Sequence, residues 1–394
     1  MSDVSIKREP INVFNSKIHI SCNACKRREL DSILIKKYLL LNNYVVVDEP
    51  HLANIIIFFT CSFSEEMSSD SYKKLNYYQS IYQYVFVCGC FPVIGIHKFN
   101  RDNHTYVINN DNLCEIESYF PPRNYSVKEI KDGNDVYIDD IFNDNIFLIR
   151  ISSGCLGNCS YCAIKKAIGV FRSKTIEKII EEVNTAFNQK HSYIRLIADD
   201  GGAYGIDLNS NIVNLLYKLS AYHQLKGIDI EINPKWILKY KNDLLRFIDQ
   251  NSKLEFKLSI PIQSASGKVL KHMNRAVDMT ELHSFLQYLR TSKKYKIFLT
   301  THIIAGYPEE NQEDQNKTID FITSNLFDQI NIFPLTLHPH SPIGNLYRRN
   351  DDNIQDRTSY IVNKLCSNGY EIIDCQKSEK QQWQHVILRL MDTI

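Results

Sequence analysis

Short runs of β-branched and aromatic residues alternate with helical stripes of apolar positions along most of this chain. In the first third, residues 17–20, 44–47, 55–59 and 84–87 read as strands. Between them, residues 31–41 place Ile33, Leu34, Tyr38 and Leu41 on one helical side, and residues 66–81 look helical. That alternation predicts a small parallel α/β unit. Pro121-Pro122-Arg123-Asn124 breaks the pattern, and the polar, Asp-rich stretch to Asn145 reads as linker.

The middle of the chain repeats the alternation. Candidate strands are 146–151, 193–197, 228–232, 254–260, 297–304 and 329–333, and Ile176, Ile179, Ile180, Val183 and Phe187 mark the clearest helix between them. Six β-α units in about two hundred residues predict an incomplete TIM-like barrel. Beyond it, 360–365 reads as helix, 370–373 as strand and 383–391 as an amphipathic end. The expected fold class is therefore α/β. An N-terminal domain spans 1–120, a linker 121–144, a partial (βα)6 barrel 145–345 and a short C-terminal segment 346–394.

Composition narrows the function classes. Across 394 residues, Lys and Arg total 46 against 45 Asp and Glu, so no general polyanion-binding surface is implied. The first ten residues are polar, so no signal peptide is expected, and the longest apolar runs are too short to span a bilayer. A cytoplasmic location without membrane contact is expected. In a reducing compartment the eleven cysteines read as metal ligands or free thiols rather than disulfides.

Chemistry concentrates in Gly154-Cys155-Leu156-Gly157-Asn158-Cys159-Ser160-Tyr161-Cys162. Thiolates at this C-x3-C-x2-C spacing hold three irons of a four-iron cluster and leave the fourth open. Zinc prefers four ligands in paired halves, and no histidine lies nearby. The loop follows the first barrel strand, at the face where barrel active sites lie. The spacing resembles that of the radical S-adenosylmethionine (SAM) enzymes, in which the open iron chelates SAM and an electron from the cluster releases a 5′-deoxyadenosyl radical.

A second set of cysteines follows strand ends in the N-terminal third. Cys25, Cys61 and Cys90 would converge on one crevice if those strands are parallel neighbours. On spacing alone, Cys22 or Cys88 substitutes equally well. From about Ile20 to Ile343 the chain resembles the radical SAM methylthiotransferases. In that family the first cysteine precedes an Asp-Ser pair by six residues, as Cys25 precedes Asp31-Ser32. Thr60-Cys61 and Gly89-Cys90 match the second and third. Pro261-Ile262-Gln263-Ser264-Ala265-Ser266, Val269-Leu270-Lys271-His272-Met273-Asn274-Arg275 and His302-Ile303-Ile304-Ala305-Gly306-Tyr307-Pro308 follow the family's central segments. Departures are Asp199 for the family's glutamine near SAM, Lys165 and Ile168 after the third cluster cysteine, and Glu231-Ile232-Asn233-Pro234 for Ser-Ser-Ile-Glu-Pro. The family's C-terminal TRAM domain is expected to be missing.

The resemblance implies two [4Fe-4S] clusters. One sits on Cys155, Cys159 and Cys162 and cleaves SAM. An auxiliary one sits on Cys25, Cys61 and Cys90 and delivers sulfur to a substrate radical. It also implies SAM contacts from Asp199, Gln263 and Ser264, with Tyr161 near the adenine. A reducing donor such as flavodoxin or ferredoxin is expected. With charge near zero, the expected substrate is a peptide or protein, such as a ribosomally made precursor peptide, and tRNA is the runner-up, with Lys26-Arg27-Arg28 as the local basic patch. A non-catalytic Fe–S scaffold or sensor is the alternative of another class. His338 and His340, at the end of the last strand, either face the site or lie in a surface loop, and the loop is the expectation.

Overall fold

The computed structural model describes residues 13, 16–97, 102–131, 133–136, 146–292, 294–324, 326–344, 346, 353–377 and 383–391. The chain divides into two compact units. The first comprises Met1–Asn134 with Ala163–Val170 and His338–His340; the second comprises the remainder. Part of the expected linker, residues 132 and 137–145, lies outside the described residues, as do residues 1–12.

The N-terminal unit runs β1 (Lys17–Cys22), α1 (Lys26–Leu41), β2 (Val45–Val46), β3 (Ile55–Thr60), α2 (Glu65–Ile81), β4 (Tyr84–Gly89), α3 (Phe91–Ile94) and β5 (Thr105–Val107). The sheet order is β2-β1-β3-β4-β5, with every pair parallel. All six residues of the central β3, Ile-Ile-Ile-Phe-Phe-Thr, are buried, as a strand covered on both faces requires. α1 begins five residues earlier than its apolar stripe predicts. Its first turn is charged, and Arg28 is buried there against Asp31 at 2.7 Å rather than solvated. Past the sheet, buried Asn42 holds residues 123–125. Its Oδ1 accepts from the backbone N–H groups of Arg123, Asn124 and Tyr125 at 2.7, 2.7 and 3.1 Å.

The second unit continues with β6 (Asn134–Val136), β7 (Ile146–Arg150), β8 (Ser152–Ser153), β9 (Arg172–Ser173), α4 (Ile176–Asn188), β10 (Tyr193–Ile197), α5 (Ile212–Ser220) and β11 (Gly227–Glu231). Then come α6 (Pro234–Lys239), α7 (Lys241–Gln250), β12 (Glu255–Ser259), α8 (Gly267–His272), α9 (Met279–Thr291), β13 (Lys296–Ala305), α10 (Gln312–Thr323) and β14 (Gln329–Pro334). The chain ends with α11 (Asn353–Cys366), β15 (Tyr370–Lys377) and β16 (Trp383–Leu390). The sheet order is β15-β16-β14-β13-β12-β11-β10-β7-β6. The six strands β7 and β10 to β14 are parallel neighbours. The amphipathic end is a strand: β16 pairs antiparallel with β14 and with β15, so the C-terminal segment extends the barrel sheet. One apolar core joins β7 and β10 to β14 to the helices outside them.

Glu310, in the turn after β13, is buried and accepts from Gly306 N at 3.3 Å. Burial pushes its carboxyl up to about 7, against the opposing pull of the Gly306 hydrogen bond and Arg357. A raised folded-state value means that stability falls as pH climbs from the ordinary carboxylate range to about 7, and is level above. Glu310→Gln should therefore stabilise the protein by about 1–3 kcal/mol at pH 8 and by nothing near pH 4, measured by urea unfolding. A gain that does not change with pH would contradict this.

Candidate active site

The barrel cysteine loop is pinched at its base by β8 and β9, where Ser152 pairs with Ser173 and Ser153 with Arg172. Its tip is anchored through Ser160. The Ser160 N–H donates to Met273 O at 3.1 Å, and its carbonyl accepts from Ile343 N at 3.0 Å. Its hydroxyl donates to His272 O at 2.9 Å and shares a 2.8 Å hydrogen bond with the Tyr307 hydroxyl. Loop conformation is thus fixed by the barrel rather than by its own secondary structure.

The three thiols stand among charged and polar groups. Gly157 N donates to Cys155 Sγ at 3.2 Å, and Cys155 Sγ donates to Asp200 Oδ2 at 3.7 Å. Burial, and next the Asp200 charge, push the Cys155 thiol up to about 11. Asp200 is itself held by the Trp236 indole at 2.8 Å and Lys235 at 3.8 Å. Arg275 donates from Nη1 to Cys159 Sγ at 3.5 Å and from Nη2 to Pro261 O at 2.6 Å, while its buried Nε has no hydrogen-bond partner among the described residues. A Cβ at Gly157 would lie 3.2 Å from Cys155 Sγ and 3.8 Å from Cys159 Sγ, so glycine keeps the space between two thiols clear.

The four predicted SAM contacts are placed differently. Asp199 follows β10 and accepts from Gly154 N at 2.9 Å, which ties it to the cysteine loop. Gln263 bridges to β13 through His302 O at 2.8 Å and Ile304 N at 3.0 Å, with φ at 68°. A non-glycine residue held in the left-handed region is a strained position that the surrounding fold must enforce. Ser264 is fully buried, and its hydroxyl is engaged by Thr318 at 3.1 Å and Ser266 N at 3.2 Å. Tyr161 packs on the cluster of Val269, Leu270, Met273 and Tyr307, and burial pushes its hydroxyl far up.

In the N-terminal unit the second trio gathers at the ends of β3 and β4 and the start of α1. Cys25 is the residue preceding α1, where a helix N-terminus favours an anion. Cys61 follows β3; its N–H donates to Ser71 Oγ at 3.2 Å, and that hydroxyl donates back to Cys61 O at 2.7 Å. Cys90 follows β4, and its N–H donates to Thr60 O at 3.1 Å. Gly89 makes that approach possible: at φ 95°, any Cβ would stand 2.2 Å from Thr60 O. Cys61 and Cys90 are buried, whereas Cys25 is exposed. Burial pushes the Cys61 thiol up to about 11, with Cys25 and Cys22 adding to it. Cys88 is fully buried, and burial drives its thiol far up. His338 is buried in this unit, not at a surface; its Nδ1 accepts from His340 N at 3.2 Å.

Among the described residues, no three His, Cys, Asp or Glu side chains are drawn together to hold a single metal ion. A four-iron cluster asks something else, because each thiolate binds a different iron.

Comparison with known proteins separates the readings. Residues 149–322 match the model of the radical SAM superfamily, and residues 17–108 match that of Uncharacterized protein family UPF0004. The two spans contain the two cysteine trios. The chain is 27% identical over 364 residues to a probable threonylcarbamoyladenosine tRNA methylthiotransferase of Methanocaldococcus jannaschii, covering 90% of this chain and 83% of that one. It is also 27% identical over 396 residues to the ribosomal protein uS12 methylthiotransferase RimO of Clostridium botulinum, covering 91% and 86%. This chain carries a radical SAM domain and a UPF0004 domain, and the relatives that match most of its length are named methylthiotransferases. Methylthiotransferases of this kind use two [4Fe-4S] clusters and SAM. Its fold resembles the radical SAM methyltransferase TsrM of Kitasatospora setae, at TM-score 0.60 and 9% identity over 95% of this chain and 86% of that one. It also resembles the cobalamin-dependent radical SAM enzyme OxsB, at TM-score 0.52 and 10% identity over 90% and 56%. No helix among the described residues is long and apolar enough to cross a membrane.

The donor set of this chain fits those cofactors. Each trio offers three thiols, and glycine clears the space between two of the barrel thiols. Sequence reasoning gave no role to Arg275, Asp200, Trp236 or Gly157. The signal for Arg275 was present, since it closes the Met273-Asn274-Arg275 segment. Gly157→Ala tests the cradle. Its Cβ finds only flexible thiols, so unfolding stability should change by less than about 1 kcal/mol, while iron bound by the barrel trio falls at least several-fold. Unchanged iron would show that the space is not used by the cluster.

Proposed function

We propose that this chain is a methylthiotransferase that inserts a methylthio group at an unactivated C–H bond of a peptide or protein, such as a ribosomally made precursor peptide. The observation that carries this choice is charge: 46 basic against 45 acidic side chains leave no excess with which to grip a polyphosphate backbone. A relative that acts on ribosomal protein uS12 supports it. The second reading is tRNA, favoured by the Methanocaldococcus jannaschii relative. A cytoplasmic setting with flavodoxin or ferredoxin as reductant accords with eleven free cysteines.

Cys155, Cys159 and Cys162 would hold the cluster that binds SAM, and Cys25, Cys61 and Cys90 would hold the auxiliary cluster. When bound, these groups supply the electron, the adenosyl radical and the sulfur. The chain's own side chains set the stage. Arg275 places a fixed positive charge against Cys159, where thiolate charge accumulates. Asp200, clamped by Trp236 and Lys235, orients the Cys155 side of the loop. Asp199 and Gln263 take the polar end of SAM. Ser264 braces the turn behind Gln263, and Tyr161 walls the site.

Asp199→Ala and Gln263→Ala should each raise the KM for SAM at least about tenfold in a 5′-deoxyadenosine assay. Ser264→Ala should leave that KM unchanged while costing about 1 kcal/mol of stability. Equal KM values for all three would remove Asp199 and Gln263 from the site. Mass spectrometry of peptides and nucleosides from a strain lacking this chain decides the substrate. A missing methylthio group is expected in the peptide fraction; loss of a methylthio-adenosine from tRNA would overturn the protein reading.

A further inference from the structure

The auxiliary site contains a thiol that the three-ligand set does not use. Cys22 ends β1 and stands in register beside Phe59 of β3, which pairs in turn with Cys88 of β4. Residues in register on adjacent strands share one face of the sheet. Cys22 is thus delivered to the same strand ends as Cys61, two residues beyond Phe59. Cys22-Asn23-Ala24-Cys25 also has C-x2-C spacing. The same spacing joins Cys159 to Cys162, two ligands of one cluster in the barrel.

The loop carrying Cys22 and Cys25 is fixed against Cys61. Asn23 N donates to Phe59 O at 3.1 Å, and Asn23 Nδ2 donates to Asp70 Oδ2 at 2.8 Å and Ser71 Oγ at 3.2 Å. The same Ser71 hydroxyl holds both the N–H and the carbonyl of Cys61. One side chain of α2 therefore sets the C-x2-C loop and Cys61 in place together. Burial divides the thiols: Cys61 and Cys90 form a buried floor, while Cys22 and Cys25 are exposed at the rim.

We propose that Cys22 is a displaceable fourth ligand of the auxiliary cluster, capping the iron left open by Cys25, Cys61 and Cys90 until a sulfur group takes its place. The proposal rests on the two-cluster reading of the family. Capping forms one Fe–S bond and releases the thiol proton to solvent. Displacement breaks that bond and returns the proton, and no electron moves in either direction. Cys22 stands at the rim rather than on the floor formed by Cys61 and Cys90, so it is the suitable one to leave. Capping would shield the open iron between turnovers.

The test uses the full chain with Cys155, Cys159 and Cys162 replaced by Ala, so that only the auxiliary cluster remains. The reduced cluster is followed by electron paramagnetic resonance while imidazole is added. With Cys22 present, the spectrum should stay unchanged into the millimolar range. With Cys22→Ala, imidazole should shift it, binding at least about tenfold more tightly. Cys22→Ser, the closer replacement, should fall between the two and controls for misfolding. Equal imidazole binding with and without Cys22 would overturn the proposal. So would loss of the cluster from both Cys22 variants, which would make Cys22 an obligatory ligand. Absence of iron from the chain that retains Cys22 would instead overturn the two-cluster reading itself.

Discussion

Parallel strands carry all their C-terminal ends to one edge of a sheet, and both cysteine trios depend on that delivery. In the N-terminal unit, β3 and β4 end at Cys61 and Gly89-Cys90, and α1 starts at Cys25 beside them. Long sequence separations thereby become short spatial ones. In the barrel, β7 leads into a loop that β8 and β9 pinch shut and that Ser160 ties to Met273, His272 and Tyr307. Neither set of thiols is held by a helix or strand of its own. Buried hydrophobic sheets bear the cost of ordering the loops.

Electrostatics sets a second condition. Burial pushes Cys61 and Cys155 up to about 11, so both are neutral thiols at physiological pH without iron. Iron binds the thiolate, so loading each cluster releases protons and is favoured by nearby positive charge. Arg275 provides that charge at Cys159, and the N-terminus of α1 provides it at Cys25. A protein with these trios but without those charges would pay more to load them.

Periodicity made most of the sheet legible, because a fully buried strand such as β3 reads as a nearly unbroken apolar run. It missed where polar forces decide. The first turn of α1 is charged because Arg28 and Asp31 pair in the interior, and no apolar stripe marks it. The barrel-extending strand β16 alternates like an amphipathic end, and only its pairing with β14 declares it a strand. At the site, the cysteines were visible from spacing and resemblance. Asp200, Trp236 and Ser71 were not, since each acts through a partner far away in sequence. Ser264, in a matching segment, has its hydroxyl engaged by Thr318 of α10.

The central claim is that one chain holds two clusters on two separate cysteine trios. Iron and acid-labile sulfide, measured after anaerobic reconstitution, address it most directly. About eight irons per chain are expected, falling to about four when Cys25, Cys61 and Cys90 are all replaced by Ala. About four irons in the unaltered protein, unchanged by that replacement, would contradict the account and leave only the radical-generating half of the enzyme.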